Sequence, residues 1–235
     1  MIIWLASYPR SGNTFFRMLL HYSCGFKTYS TYNDPLFDQL GATEAVGQER
    51  LPAPVAELAK APETYLVKTH DLPTDKSPAI YVVRDGRDSV VSFARYVRSF
   101  ERKPGMMKAL KEVLDIDSFR TALEKLITSK ERYGGWNDHV LAWLHRDHTG
   151  PQMVIRYEDL VNDPDKAVAE ALQTFGLKPV TTGGKMPDFE TLHQKWPDFF
   201  RKGKSGAWRE EMSDELHDLF WQHHAVAMNT LGYTR

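Results

Sequence analysis

Near its N-terminus the chain reads Trp4-Leu-Ala-Ser-Tyr8-Pro9-Arg10-Ser11-Gly12-Asn13-Thr14-Phe15-Phe16-Arg17, and this stretch decides the fold. The apolar run over 1–6 is too short for a buried helix and rich in bulky residues, which predicts a central strand. Turn and capping residues follow it. Apolar positions then recur in a helical pattern from Phe15 onward. The stretch therefore predicts a strand, a tight polar loop and a helix N-terminus.

The polar loop has the composition of an anion-binding turn. Backbone N–H groups converge at a helix N-terminus, and the helix dipole favours negative charge there. Ser11, Asn13 and Thr14 can add side-chain hydrogen bonds, and Arg10 adds a full positive charge. A well-capped strand–helix turn without any ligand is the alternative interpretation.

Composition limits the possible classes of protein. The chain has 235 residues, which is compatible with one domain over 1–235, and its net charge of −1 argues against nucleic acid as a partner. The single cysteine, Cys24, excludes an internal disulfide or a cysteine metal cluster and is expected in the core. No stretch has the ~20 apolar residues that a membrane span needs. Without a signal-peptide pattern, we expect a cytoplasmic protein.

Strand and helix patterns alternate along the chain. We predict further strands over 65–68, 79–83 and 152–155. The predicted helices cover 14–22, 35–40, 54–60, 88–100, 117–129, 136–146, 164–175 and 214–229. Residues 101–116 are basic and contain two methionines, and 178–206 is predicted to be mostly loop. This alternation predicts an α/β fold, a three-layer sandwich with a central parallel sheet that is similar to the P-loop NTPases.

Each predicted strand is followed by polar residues. In open parallel sheets the ligand lies beyond the carboxyl ends of the strands. The residues found there are Arg10 to Thr14, Lys68 to His70, Arg84 with Asp88, and Tyr157. The first loop lacks the Gly-x-x-x-x-Gly-Lys-Ser/Thr spacing of a Walker A motif, so it suits a terminal oxyanion without a bound metal. We expect no metal site, and we expect His145, His148, His223 and His224 at the surface.

Taken together, these motifs resemble those of the sulfotransferases that use 3′-phosphoadenosine 5′-phosphosulfate (PAPS), the cytosolic type in particular. Their phosphosulfate loop, Tyr-Pro-Lys-Ser-Gly-Thr-Thr-Trp, is similar to the segment from Tyr8 to Phe15. Four more motifs follow in the family's order: Lys68-Thr69-His70; Arg84, Arg87-Asp88 and Ser92; Arg156-Tyr157-Glu158-Asp159-Leu160; and Phe200-Arg201-Lys202-Gly203 with Gly206 and Trp208.

The resemblance implies transfer of a sulfuryl group from PAPS to a hydroxyl of a small acceptor, with release of 3′-phosphoadenosine 5′-phosphate (PAP). It implies His70 as general base, with Arg10 and Lys68 stabilising the transferred group. The implied donor-binding residues are Arg10, Ser11, Gly12, Asn13, Thr14 and Phe15 at the 5′ end, Arg84, Ser92, Arg201, Lys202 and Gly203 at the 3′-phosphate, and Tyr157, with Phe15, beside the adenine.

The chain departs from the family pattern at several positions, and these departures concern the oligomeric state and the acceptor. Arg10 replaces a lysine, Phe15 a tryptophan and Ala207 an aspartate, and the family's dimer motif is missing after Trp208. The oligomeric state and the acceptor therefore do not carry over. The segments 26–63 and 98–135 are expected to line the acceptor pocket, and their aromatic and basic residues are compatible with a lipophilic, an acidic or a glycan acceptor. The alternatives are a nucleotide-dependent small-molecule kinase and a non-catalytic PAP- or nucleotide-binding protein.

Overall fold

The structure is a computed structural model that describes residues 1–32, 41–101, 108–128, 133–181, 184–197, 200, 203 and 205–235. The predicted helix over 35–40 and the residues Arg201 and Lys202 lie outside the described residues. Within the described part of the chain, no helix is both long and apolar enough to cross a membrane.

A parallel sheet of five strands, in the order β2-β3-β1-β4-β5, forms the centre of the molecule. The strands are β1 (Ile2–Ala6), β2 (Thr28–Ser30), β3 (Tyr65–Thr69), β4 (Ala79–Val83) and β5 (Gln152–Arg156). Strand β1 lies between β3 and β4, with Trp4 opposite Val67 on one side and Ala79 on the other. The sequence did not predict β2, a polar edge strand of three residues.

Helices cover both faces of the sheet because successive side chains of a strand point to opposite sides. In β1, Ile3 and Leu5 belong to one apolar cluster, whereas Ile2, Trp4 and Ala6 belong to another. The first cluster includes residues of helices α1 (Asn13–Cys24) and α8 (Pro164–Phe175). The second includes residues of α4 (Gly86–Glu101), α5 (Lys108–Thr128), α6 (Trp136–His145) and α10 (Asp214–Thr230). The predicted three-layer α/β sandwich is thereby confirmed.

The remaining helices are short: α2 (Ala42–Ala45), α3 (Val55–Leu58), α7 (Tyr157–Asn162), α9 (Phe189–Lys195) and a 3-10 helix (Ala207–Glu210). The predicted loop over 178–206 is therefore wrong at α9, where the Asp188 side chain caps the helix by accepting from the Thr191 N–H at 2.8 Å. Cys24 is buried, as expected. His224 was expected at the surface, and this prediction is wrong: His224 is buried against a ring of Trp136, because α10 packs on α6.

Helix α5 begins earlier in the chain than the sequence predicted. Asp117 was predicted as the cap of this helix, but helix α5 begins at Lys108. The segment from Lys108 to Asp117 contains no glycine or proline and is rich in alanine, leucine, lysine and glutamate, which are strong helix formers. Its basic residues are compatible with a helix as much as with a loop.

The strand order fixes where a ligand can bind. The chain leaves β1 towards β2 at one edge of the sheet and leaves the neighbouring strand β4 towards β5 at the other edge. Connections that diverge from adjacent strands open a crevice beyond the carboxyl ends of those strands. The loop before α1 and the turn before α4 both begin at this crevice.

Candidate active site

A cavity of about 670 Å³ lies at the crevice. Eleven residues that the sequence analysis selected line its wall: Arg10, Gly12, Asn13, Thr14, Phe15, Lys68, His70, Arg84, Ser92, Tyr157 and Gly203. The volume is in the range of small-molecule sites in proteins. Four strand ends and the C-terminal segment thus contribute to one site.

The loop between β1 and α1 is shaped to present backbone donors to this cavity. Arg10 and Gly12 both have left-handed backbone conformations, with φ of 65° and 104°. Helix α1 begins directly after Gly12, whose carbonyl accepts from the Phe16 N–H at 3.0 Å. The first N–H groups of a helix have no partner within the helix, so those of residues 13–15 can bind an anion.

Two side chains of this loop contact other parts of the fold. The Ser11 hydroxyl is buried and lies 3.2 Å from the Ser89 hydroxyl, so Ser11 does not line the cavity. The Asn13 amide donates to the carbonyl of Leu5 at 2.8 Å. Both side chains thus fasten the loop to its own scaffold, and the predicted contacts of Ser11 and Asn13 with a ligand stay predictions.

Arg10 joins the loop to helix α4. Its Nε donates to the Ser92 hydroxyl at 3.2 Å, and its guanidinium carbon lies 5.0 Å from the centre of the Tyr96 ring. A guanidinium over an aromatic face gains cation–π attraction. The positive charge that the sequence predicts in this loop is therefore held at the cavity wall by α4.

His70 follows β3 and has a defined tautomer. Its Nδ1 lies 2.7 Å from the carbonyl oxygen of Ser7, and a carbonyl can only accept, so Nδ1 carries the hydrogen. The lone pair of the neutral ring is then on Nε2, and His70 lines the cavity. Burial, and next the charge of Lys68, hold the pKa of His70 well below its usual value. The imidazole is consequently neutral near pH 7 and able to accept a proton.

Helix α6 holds the backbone that follows this imidazole. Nε2 of His139 donates to the carbonyl of His70 at 3.0 Å, and Nε1 of Trp143 donates to the carbonyl of Asp71 at 3.1 Å. The Nδ1 of His139 accepts from the Tyr81 hydroxyl at 2.9 Å. Three buried side chains thus fix the direction of the chain after β3.

Aromatic rings surround the polar pair of Lys68 and His70. The Lys68 ammonium lies 4.8 Å from the centre of the Tyr32 ring, and the His70 ring centre lies 5.9 Å from that of Tyr32 and 6.0 Å from that of Tyr133. Phe93 packs against Tyr133 and lines the same end of the cavity. A base and a cation are therefore placed beside apolar ring surfaces.

Tyr157 connects the first loop with the turn after β4. A Cβ on Gly12 would lie 2.5 Å from Cδ2 of Tyr157, which shows that the ring packs directly on the loop. On the same ring lies the Arg84 guanidinium carbon, 4.4 Å from its centre. Position 12 is therefore restricted to glycine by its contact as well as by its φ.

Glu158, the next residue, supports the turn that carries Arg84. Its Oε1 accepts from the backbone N–H of Asp85 at 3.2 Å, and its Oε2 accepts from the Tyr233 hydroxyl at 2.9 Å. Arg156 lies over the Tyr233 ring, with its guanidinium carbon 4.3 Å from the ring centre. The Arg-Tyr-Glu segment thus links the site to the C-terminal end of the chain.

Part of the cavity wall was not predicted from the sequence. Residues 184–189 and Val161 of α7 also line the cavity. Met186, Pro187 and Phe189 give this part of the wall an apolar character. The apolar spacing of Met186 and Phe189 was the available signal, but the glycine and lysine content of 178–206 favoured a solvated loop.

Comparisons with known proteins agree with this geometry. The family profile described as "Sulfotransferase domain" matches residues 2–232. The chain belongs to the sulfotransferase family. The predicted family membership and the predicted enzyme class are thereby confirmed.

Similar proteins include two curated sulfotransferases. Sulfotransferase 1A1 of Bos taurus and sulfotransferase 1E1 of Homo sapiens are each 26% identical, over 95% of this chain and 82% of theirs. Among solved structures, mouse sulfotransferase SULT7A1 complexed with PAP has a TM-score of 0.64 and 19% identity, over 96% of this chain and 83% of that one. Retinol dehydratase in complex with androsterone and inactive cofactor PAP has a TM-score of 0.64 and 18% identity, over 100% of this chain and 82% of that one.

Gly12→Ala tests the contact between the loop and Tyr157. A left-handed alanine costs about 1–2 kcal/mol, and displacing the Tyr157 ring adds about 1–3 kcal/mol of overpacking. Gly176→Ala is the matched control, because Gly176 has a φ of 61° and an added Cβ would meet nothing within 4 Å. Urea titrations should show the larger loss of unfolding free energy for Gly12→Ala. Equal losses in the two variants would contradict the proposed packing.

Buried neutral imidazoles should make the fold sensitive to acid. Burial lowers the pKa of His139 and of His224 to about 4, while an unfolded chain has the ordinary value near ~6.5. The unfolded state binds protons first as the pH falls. This contribution to stability is therefore complete above pH ~6.5 and is lost between ~6.5 and ~4, at about 1.4 kcal/mol for each pKa unit.

The variant His139→Gln provides the comparison. Glutamine can donate to the His70 carbonyl and accept from the Tyr81 hydroxyl, but it does not titrate. Urea titrations between pH 7 and pH 4 should show a shallower decrease of the unfolding free energy for this variant than for the wild type. Identical decreases would remove His139 from the account.

Proposed function

We propose that the protein transfers a sulfuryl group from PAPS to a hydroxyl of a small acceptor, with His70 as the general base. The observation that carries the proposal is the position of His70, with its Nε2 lone pair, and of Lys68 in one cavity with the N-terminus of α1. A proton acceptor and an anion-binding helix end are the two components that sulfuryl transfer to a hydroxyl requires.

The cavity suits a donor with several negative charges. Four cationic residues, Arg10, Lys68, Arg84 and Lys185, line it together with residues 13–15 of the first turn of α1. We assign the 5′-phosphosulfate to this turn and to Arg10. The 3′-phosphate is assigned to Arg84, Ser92 and Gly203, and the resemblance adds Arg201 and Lys202. Phe15 and Tyr157 supply ring surfaces for adenine, and Met186 and Phe189 extend that apolar wall.

In the proposed reaction the acceptor oxygen forms a bond to sulfur while the bond from sulfur to the bridging phosphate oxygen breaks. Nε2 of His70 takes the acceptor proton, and PAP leaves with the electron pair of the broken bond. Lys68 and the N–H groups of residues 13–15 stabilise the charge on the sulfuryl oxygens and the departing phosphate. Electrostatic stabilisation of this kind is the largest contribution to catalysis in many enzymes.

The acceptor end contains Tyr32, Phe93 and Tyr133 around His70. These rings favour an acceptor with an apolar body next to its hydroxyl group. Steroid-sized ligands are compatible with such a surface.

Other expectations from the sequence stay predictions. They are the single domain over 1–235, the cytoplasmic location, the lack of a nucleic-acid partner and the lack of a metal requirement. Among the described residues, no group of three or more His, Cys, Asp or Glu side chains could hold a metal ion.

The two alternative functions predict different binding behaviour. A kinase would bind ATP in preference to PAP, whereas a non-catalytic protein would bind PAP without turnover.

His70→Ala separates binding from transfer. Loss of a general base lowers the rate by about 10²- to 10⁴-fold, while the dissociation constant for PAP should change by less than about threefold, because no donor contact is assigned to His70. The measurement is transfer of ³⁵S-labelled sulfate from PAPS to a panel of phenols and alcohols, with PAP binding measured by calorimetry. His148→Ala, which alters an exposed histidine, is the control.

Two results would contradict the proposal. Transfer at the wild-type rate by His70→Ala would exclude His70 as the base. Binding of PAP by the wild type without transfer to any member of a broad panel would favour the non-catalytic alternative.

A further inference from the structure

Asp88 is a buried acid in the wall of this cavity, whereas Asp165 and Asp188, which also line it, are exposed. Asp88 is 2% exposed, it lies in the first turn of α4, and it lines the same cavity as the cations Arg10, Lys68 and Arg84. A buried carboxylate repels a phosphate and is costly to desolvate unless it is well paired. Its burial raises the pKa of Asp88 above the usual value, in agreement with that cost. The proposed mechanism gives this carboxylate no task.

The contacts of Asp88 are with the C-terminal turn. Its Oδ2 accepts from the backbone N–H of Gly206 at 2.7 Å, and its Oδ1 accepts from the backbone N–H of Trp208 at 3.0 Å. Both oxygens of one side chain thus hold successive parts of the segment that enters the 3-10 helix Ala207–Glu210. Charge-assisted hydrogen bonds to backbone N–H groups are among the stronger ones in proteins.

The same carboxylate also faces Arg84. Nη2 of Arg84 lies 3.6 Å from Oδ2 of Asp88, while the guanidinium lies over the Tyr157 ring. Asp88 on one side and Tyr157 on the other therefore limit the orientations of this cation. Gly203 and Ala207, on either side of Gly206, both line the cavity. Displacing the turn at Gly206 would consequently move the cavity wall at these two residues.

We propose that Asp88 is the positioning residue of the 3′-phosphate subsite: it holds the Gly206–Trp208 turn against helix α4 and orients Arg84, and so it sets the preference for a nucleotide with a 3′-phosphate. The proposal rests on the proposed function, because it assigns the 3′-phosphate to this part of the cavity. Asp88 itself touches no ligand in this account. Its negative charge is retained because it organises positive groups around the phosphate.

The charge of Asp88 and its positioning role predict opposite changes in PAP affinity when the carboxylate is removed. Removing a negative charge beside a phosphate site should tighten binding if the carboxylate acts only through its charge. If Asp88 acts by positioning, Asp88→Asn should weaken PAP binding, because an amide can accept at only one of its two ends and its NH₂ group faces an N–H donor.

The experiment compares the dissociation constants of PAP and of adenosine 5′-monophosphate, which lacks the 3′-phosphate, by calorimetry. For Asp88→Asn we expect PAP to bind about 10- to 100-fold more weakly, as for the loss of a charged hydrogen bond, and the monophosphate to change by less than about threefold, because its phosphate is assigned to the α1 turn. The rate of transfer at saturating PAPS should stay within about threefold of the wild type, because Asp88 does not touch the reacting atoms.

Two further variants complete the design. Asp165→Asn removes an exposed carboxylate from the rim of the same cavity and should leave the ratio of the two constants unchanged. Asp88→Glu keeps the charge and displaces it by one methylene group, so it should also lower the preference for PAP. This variant keeps the test available if Asp88→Asn does not fold.

The outcomes are separable. A wild type that does not prefer PAP over the monophosphate would contradict the proposed function itself. If the wild type prefers PAP, and the folded Asp88 variants keep the wild-type ratio or bind PAP more tightly, Asp88 is not the positioning residue. A lower ratio in both Asp88 variants, with an unchanged ratio in Asp165→Asn, supports the proposal.

Discussion

The site depends on one backbone constraint: the chain must leave strand β1 and start helix α1 within the short loop from Ser7 to Gly12. Two left-handed residues, Arg10 and Gly12, make this turn possible. The Ser11 hydroxyl contacts the Ser89 hydroxyl, and the Asn13 amide donates to the Leu5 carbonyl, so both side chains hold the loop in place. The free N–H groups of α1 therefore meet the cavity in a fixed direction. Every other group of the site is placed relative to that helix end.

The neighbouring strands then divide the cavity by chemistry. Strand β3 delivers Lys68 and His70 on one side of β1, and β4 delivers Arg84 and the first turn of α4 on the other. The first pair lies among aromatic rings, where a neutral acceptor can approach a neutral base. The second side combines a cation and the Tyr157 ring with two acids, Asp88 and Glu158, that hold backbone N–H groups. This division follows from the strand order, because β3 and β4 lie on opposite sides of β1 and their carboxyl ends therefore reach opposite sides of the crevice.

The sequence predicts the centre of this arrangement well and its periphery poorly. The strands β1, β3, β4 and β5 are short apolar runs followed by polar motifs, and both signals are local. Strand β2 has three residues and helix α9 has seven, so the contacts that stabilise them come from the rest of the fold. The roles of Ser11, Asn13 and His139 also depend on partners distant in sequence or in the preceding strand. Met186 and Phe189 were predicted to lie in a solvated loop, because composition is a local signal and does not show the distant contacts of a segment.

The most direct test of the account is a crystal structure of the protein with PAP. The account predicts the 5′-phosphate at the N–H groups of residues 13–15 beside Arg10, with Nε2 of His70 facing the open end of the cavity. It also predicts the 3′-phosphate at Arg84 and Ser92, and the adenine between Phe15 and Tyr157. A PAP molecule bound with its 5′-phosphate away from the α1 N-terminus, or outside this cavity, would contradict the central claim.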